Sequence, residues 1–286
     1  MAQEDIDRVL FRPTRHDKTA APEGACNIDI PLADGTVLGA RLFIHAPASP
    51  TLIFFHGNSE TVPDYDVIGP HYTAEGVNFL VLDYRGFGWS SGTATLPSFL
   101  PDARTAFGFL RDWLNQNSYT GPLALMGRSL GSACAIDVAF SHSGEFKALV
   151  LESAFAQALP LAQALGLDLE TLGLSASEDP FDNVGKITCI GKPTLILHGQ
   201  YDQLIGLWQA EKLHAESGAK TKELQVVPGA DHNSLIEKGG RYYFSTIANF
   251  VTRVTGCAPS WRERRRAFKA AQKAEQAERA EQERQS

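Results

Sequence analysis

The stretch Gly127-Arg128-Ser129-Leu130-Gly131 decides the fold of this 286-residue chain. An apolar run, Leu123 to Met126, precedes it, and a small-residue helical stretch, Ser132 to Phe140, follows. A strand that turns sharply into a helix lifts the serine hydroxyl above the end of a sheet. The same turn aims the first free N–H groups of the helix at whatever the hydroxyl attacks. Glycines flank the serine because strand and helix backbones pass too close there for a Cβ. The bland alternative is a glycine-rich turn with an idle serine, and the residues downstream argue against it.

Leu195 to His198 reads as another buried strand, and Gly199-Gln200-Tyr201-Asp202 places a carboxylate just past its end. Leu224 to Val227 is the next strand, followed by the loop Pro228-Gly229-Ala230-Asp231-His232. Ser129, Asp202 and His232 thus give the chain order serine, acid, histidine. Serine hydrolases use three different orders on unrelated folds, and this is one of them. A serine hydroxyl is a poor nucleophile near neutrality, so His232 must take its proton during attack. Asp202 would hold the imidazole tautomer and stabilise the imidazolium. Glu152, at the end of a strand, is an alternative acid.

Thr51 to Phe55 is a β-rich apolar run ending in His56-Gly57-Asn58. The loop after such a strand supplies one backbone donor of an oxyanion hole, and the residue after the nucleophile supplies the other. These are assigned to Asn58 and Leu130. A preorganised donor of this kind is worth about 3–4 kcal/mol of barrier height.

With these parts the sequence resembles the alpha/beta-hydrolase superfamily over roughly residues 24–256. Within it the chain looks most like the small-lid group of abhydrolase-domain protein-thioester hydrolases and serine-aminopeptidase-like proteins. The matching residues are His56-Gly57-Asn58, Asp83-Tyr84-Arg85-Gly86, the Ser129 turn, His198-Gly199-Gln200-Tyr201-Asp202 and Gly229-Ala230-Asp231-His232. Phe11-Arg12-Pro13 is similar to that group's aromatic-proline lead-in. The resemblance implies an α/β fold with a mostly parallel eight-stranded sheet, helices on both faces and a short lid. It implies no cofactor and no metal, and it does not specify a substrate.

Composition agrees with one enzyme domain: 43% hydrophobic and 21% charged is enough for a sizeable single core. A net charge of −7 predicts no strong field for nucleic acid. The acidic start, Met1 to Asp5, lacks an apolar signal region, and no run approaches membrane-spanning length. Cys26, Cys134, Cys189 and Cys257 are scattered, which suggests reduced thiols. The expectation is a cytoplasmic protein. His71, Asp64 and Asp66 lack metal-ligand spacing, and His56 and His198 read as structural.

Cys26 to Leu32 and Val37 to Ile44 read as a hairpin turned at Ala33-Asp34-Gly35. Asn78 to Leu82 and Ala148 to Leu151 are further buried strands. Helical patterns cover Phe99 to Asn115, Ser132 to Phe140, Leu207 to Glu216 and Leu235 to Val254. Residues 157–186 break this alternation where a lid belongs. Leucines at 161, 165, 169 and 172 give a helical stripe there, and Leu159, Leu161 and Leu165 are the expected walls of an acyl pocket. The alternative is a short helix packed on the core.

The expected organisation is an N-terminal arm, 1–23, a hydrolase domain, 24–256, and a charged helical tail, 257–286. From Ser260 onward the tail holds eight basic and five acidic residues. Beside Trp261, Arg262, Arg264, Arg265 and Arg266 could form a weak handle for an acidic membrane or a protein, or simply a solvated helix. The predicted activity is cleavage of an ester, thioester or amide in a small or acylated substrate through a covalent acyl-enzyme. A non-catalytic scaffold that binds a small molecule or protein, and a lyase or C–C hydrolase with the same triad, stay open.

Overall fold

The computed structural model describes residues 7, 10–164, 166, 179–258 and 265. Strand β1 (Ala25–Pro31) pairs antiparallel with β2 (Val37–Phe43). The hairpin turns as its sequence predicts: Gly35 sits at φ 84°, and the Asp34 carboxylate accepts the Thr36 amide at 3.0 Å. The remaining strands are β3 (Thr51–Phe55), β4 (Asn78–Leu82), β5 (Leu123–Arg128), β6 (Ala148–Glu152), β7 (Thr194–Gly199) and β8 (Lys222–Val227). Among the described residues they form one eight-stranded sheet in the order β1-β2-β4-β3-β5-β6-β7-β8. β2 lies antiparallel to β4, and every later pair is parallel.

Every residue of β3, β4, β6 and β7 is buried. Helices cover both faces of these strands, which is why their sequences are continuous apolar runs and not alternating ones. β5 shows the division: Leu125 faces one core and Ala124 and Met126 the other. The Leu125 face is packed by α2 (Leu96–Gln116) and α3 (Gly131–Ser141), the opposite face by α1 (Gly69–Ala74) and α8 (Arg241–Thr255).

α2 starts three residues before the predicted Phe99 because Thr95 caps it, accepting the Ser98 amide at 3.3 Å, and Pro97 is tolerated in a first turn. The single helix expected over Leu235 to Val254 is two. α7 (Leu235–Gly239) stops at Gly240, whose φ 50°, ψ −136° no side-chain-bearing residue adopts easily, and α8 begins after it. α8 ends in a Schellman motif, with Gly256 at φ 76° and the Cys257 amide on the Thr252 carbonyl at 2.8 Å.

The segment expected as a lid opens with α4 (Ala158–Ala164). It runs at its far end into α5 (Asn183–Thr188), which packs against α3 and α6 (Leu207–Glu216) as part of the body. Leu165, Leu169 and Leu172 of the stripe lie outside the described residues, as does nearly all of the C-terminal tail. Residues 10–16 of the expected arm are tied to the body: Phe11 is buried against Phe99, ring centroids 5.1 Å apart. No described helix is long and apolar enough to cross a membrane.

Candidate active site

Parallel pairing brings the site together. In register, Phe55 at the end of β3 lies opposite Gly127, and Glu152 at the end of β6 opposite Arg128. Ser129 then sits at φ 51°, a left-handed conformation unusual for a residue with a side chain. Backbone bonds hold it: its amide donates to the Glu152 carbonyl at 2.9 Å, and its carbonyl accepts the Ser132 hydroxyl at 2.6 Å. The flanking glycines are both sterically required. A Cβ on Gly127 would lie 2.4 Å from the Gly131 carbonyl, and one on Gly131 would lie 2.2 Å from that of Phe55.

Ser129 Oγ is 3.0 Å from His232 Nε2, and His232 Nδ1 is 2.8 Å from Asp202 Oδ2. All three residues are buried, with 6, 8 and 6% of the surface of Ser129, His232 and Asp202 exposed. A carboxylate acceptor at Nδ1 places the imidazole proton there and leaves Nε2 to accept from Ser129. The other Asp202 oxygen accepts the Leu204 and Ile205 amides at 3.1 and 2.8 Å. Burial pushes the Asp202 carboxyl up, but the His232 hydrogen bond and charge, the Ile205 amide and His198 together hold it below the ordinary carboxylate value. Asp202 therefore stays ionised.

Glu152, the alternative acid, is bound elsewhere. Its carboxylate accepts from Arg128 Nε at 3.3 Å and from the Tyr243 hydroxyl at 2.6 Å.

At the expected oxyanion hole, the Gly57 amide is already used: it donates to Glu60 Oε2 at 2.7 Å. The backbone amides of Asn58 and Leu130 donate to no acceptor among the described residues, which leaves both for a ligand. Beneath the loop, the His56 ring places Nδ1 2.8 Å from the Gly57 carbonyl and Nε2 3.2 Å from Asp83 Oδ1, and the Tyr84 hydroxyl donates to the His56 carbonyl at 2.7 Å. The Asp83-Tyr84 turn thus braces the strand end. His198 Nε2 donates to the Ile205 carbonyl at 2.7 Å, and burial holds this ring below the ordinary imidazole value, hence neutral. Both histidines steady loops of the candidate site from below.

Two features of the site have little or no signal in the sequence. The Asn58 side chain accepts the Arg12 amide at 2.8 Å and donates to the Leu10 carbonyl at 2.9 Å, so it anchors the arm. Arg128 and Glu60 form an ion pair beside the His232 loop. Only the charge of Arg128 inside an otherwise small-residue turn signals that pair in the sequence. Of the expected pocket walls, Leu161 is buried in the core cluster with Phe155 and Phe181, and Leu159 is half-buried. Asp64 caps a short helix through Thr61, Asp66 pairs with the buried Arg41, and His71 stacks on Phe244.

The sequence model of a serine aminopeptidase family (S33) matches residues 46–173, which hold the candidate oxyanion loop and Ser129 but neither Asp202 nor His232. An uncharacterised Mycobacterium tuberculosis protein is 28% identical over 254 residues, 86% of either chain. The alpha/beta hydrolase domain-containing protein WAV2 of Arabidopsis thaliana is 25% identical over 71% of this chain and 70% of its own. The Pyrococcus furiosus esterase Pf2001 superposes with a TM-score of 0.69 at 20% identity, covering 85% of this chain and 99% of that one. The chain has the alpha/beta-hydrolase fold and is similar in sequence to proteins that carry it. Its matches support hydrolase chemistry, and the candidate site stands at the C-terminal ends of the parallel strands, where open α/β sheets bind ligands.

Proposed function

We propose that the chain is a serine hydrolase that cleaves an ester, thioester or amide through a covalent acyl-enzyme. The observation that carries this reading is the relay from Ser129 through His232 to an ionised Asp202, at 3.0 and 2.8 Å. Ser129 Oγ attacks the acyl carbonyl as its proton passes to His232 Nε2, and the resulting oxyanion rests on the Asn58 and Leu130 amides. Collapse of the intermediate expels the leaving group, which takes the proton from His232. Water then enters, gives a proton to His232 and attacks the acyl carbon. The acid product leaves and Ser129 regains its proton.

The half-buried Leu159 is proposed for the acyl-side wall. The four cysteines have no disulfide partner and favour a reducing, cytoplasmic setting. A panel of p-nitrophenyl esters of rising chain length, run beside acyl thioesters and aminoacyl amides, tests the reading. It expects turnover of at least one class, abolished by Ser129→Ala. Turnover of none, with tight binding of an unreacted small molecule, would favour a binding scaffold. Cleavage of a C–C bond would place the same residues in a different chemistry.

A further inference from the structure

We infer that Arg128 is a positioning residue that locks the histidine loop and the oxyanion loop to each other through one guanidinium. The inference rests on the serine-hydrolase reading. Arg128 directly precedes the nucleophile, and its side chain is only 12% exposed. One terminal nitrogen, Nη2, donates to the carbonyl of His232 at 2.9 Å and to Asn233 Oδ1 at 3.1 Å. The other pairs with Glu60, and Nε donates to Glu152 at 3.3 Å. Glu60 in turn accepts the Gly57 amide at 2.7 Å and the Tyr65 hydroxyl at 2.6 Å. An unbroken chain of bonds therefore runs from the residue before the Asn58 donor, through Glu60 and Arg128, to the backbone of the catalytic histidine.

Two further features fit this role. Gly57 has its own reason to lack a side chain: a Cβ there would lie 2.8 Å from Arg128 Nη1 and 3.1 Å from the Glu60 oxygens, so the glycine lets the ion pair pass under the loop. The planar fork is also needed, because a lysine ammonium is a point charge that cannot serve four acceptors in these directions. Displacement of catalytic groups by about 1 Å costs on the order of 10²-fold in rate, so the lock acts on kcat and not on substrate affinity. A cavity of about 240 Å³ adjoins the guanidinium, lined by Glu60, Tyr65, Glu152, Asn233 and Tyr243 among others, and gives an added cation a way in.

The test uses the full chain with Arg128→Ala, Arg128→Lys and Glu60→Gln on the best p-nitrophenyl ester. Arg128→Ala should lower kcat by roughly 10–100-fold with KM changed less than about threefold. Methylguanidinium at millimolar concentration should restore part of that kcat, and methylammonium should not. Arg128→Lys should recover little, and Glu60→Gln should be non-additive with either arginine variant. If Arg128→Ala does not fold, the lysine and glutamine variants carry the comparison. Wild-type kcat in the variants, a loss confined to KM, or equal rescue by both cations would overturn the inference. Should the wild type turn over no substrate, the hydrolase reading fails separately, and the low-field NMR proton on His232 Nδ1 decides. Its broadening in Arg128→Ala and return with methylguanidinium uphold the lock; an unchanged signal refutes it.

Discussion

Ser129 and its two carboxylate neighbours make different demands on substitution. Ser129→Ala keeps the turn, which backbone bonds hold, and should lower kcat by roughly 10⁴–10⁶-fold with the thermal midpoint little changed. Asp202→Asn removes the acceptor that fixes the Nδ1 proton and should cost on the order of 10⁴-fold. Glu152→Gln leaves His232 untouched and should cost far less rate, but it weakens the buried bonds to Arg128 and Tyr243, about 1–3 kcal/mol of stability. Steady-state kinetics beside thermal melts check the three; a larger rate loss for Glu152→Gln than for Asp202→Asn contradicts the assignment. The candidate triad residues were legible because each follows a strand in a fixed chain order. The work of Arg128 was not, since its partners come from residues 60, 152, 232 and 233, and only the folded sheet brings them together.

Among the elements, the candidate oxyanion loop and the N-terminal arm are linked through one side chain. Asn58→Ala keeps the backbone donor but removes the bonds to Leu10 and Arg12. Activity should stay within about tenfold, while amide exchange over residues 10–16 quickens. Asn58→Pro deletes the donor itself and should cost about 10²–10³-fold, with circular dichroism confirming the fold. Equal activity in the two variants would remove Asn58 from the hole. Buried strands were readable as unbroken apolar runs, and their ends fall within a residue or two of expectation. The arm was not readable as part of the body: Phe11 is one aromatic in a polar stretch, and its burial depends on Phe99, far along the chain. The break between α7 and α8 was hidden because the apolar pattern continues across Gly240, where backbone conformation and not pattern ends the helix.

At the scale of the whole molecule, stability should fall on the acid side of neutrality. Burial holds His198 and His142 below the ordinary imidazole value of 6.5, with Arg111 and Arg104 adding to the effect at His142. Below that value the unfolded chain binds protons that the native chain refuses, so stability declines as pH falls from about 6.5 toward the folded values. Asp202 acts lower: its carboxyl is depressed when folded, so its contribution is present above the unfolded value of 3.8 and is lost as pH drops below it. Melts between pH 8 and 5 should show a midpoint that is level at the top and falls below 6.5, and His198→Asn should flatten the fall. A midpoint indifferent to pH over that range would contradict the burial of these rings. A chain cut after Gly256 loses the Cys257 amide of the α8 cap but keeps the Gly256 amide on the Arg253 carbonyl, and should fold and keep its turnover on small esters. If the arginines of the tail form a handle, the cut chain should bind anionic vesicles less than the full chain at low salt, a difference that shrinks near physiological ionic strength. Loss of folding on truncation would show instead that the tail docks on the body.

The central claim is that this molecule uses Ser129 as a nucleophile activated by His232. Reaction of the full chain with an active-site fluorophosphonate, followed by intact mass and peptide mapping, tests it most directly. The account predicts one adduct per chain on the Ser129 peptide, absent in Ser129→Ala and slowed by orders of magnitude in His232→Ala. An unlabelled wild type, or a label on any other residue, would contradict it.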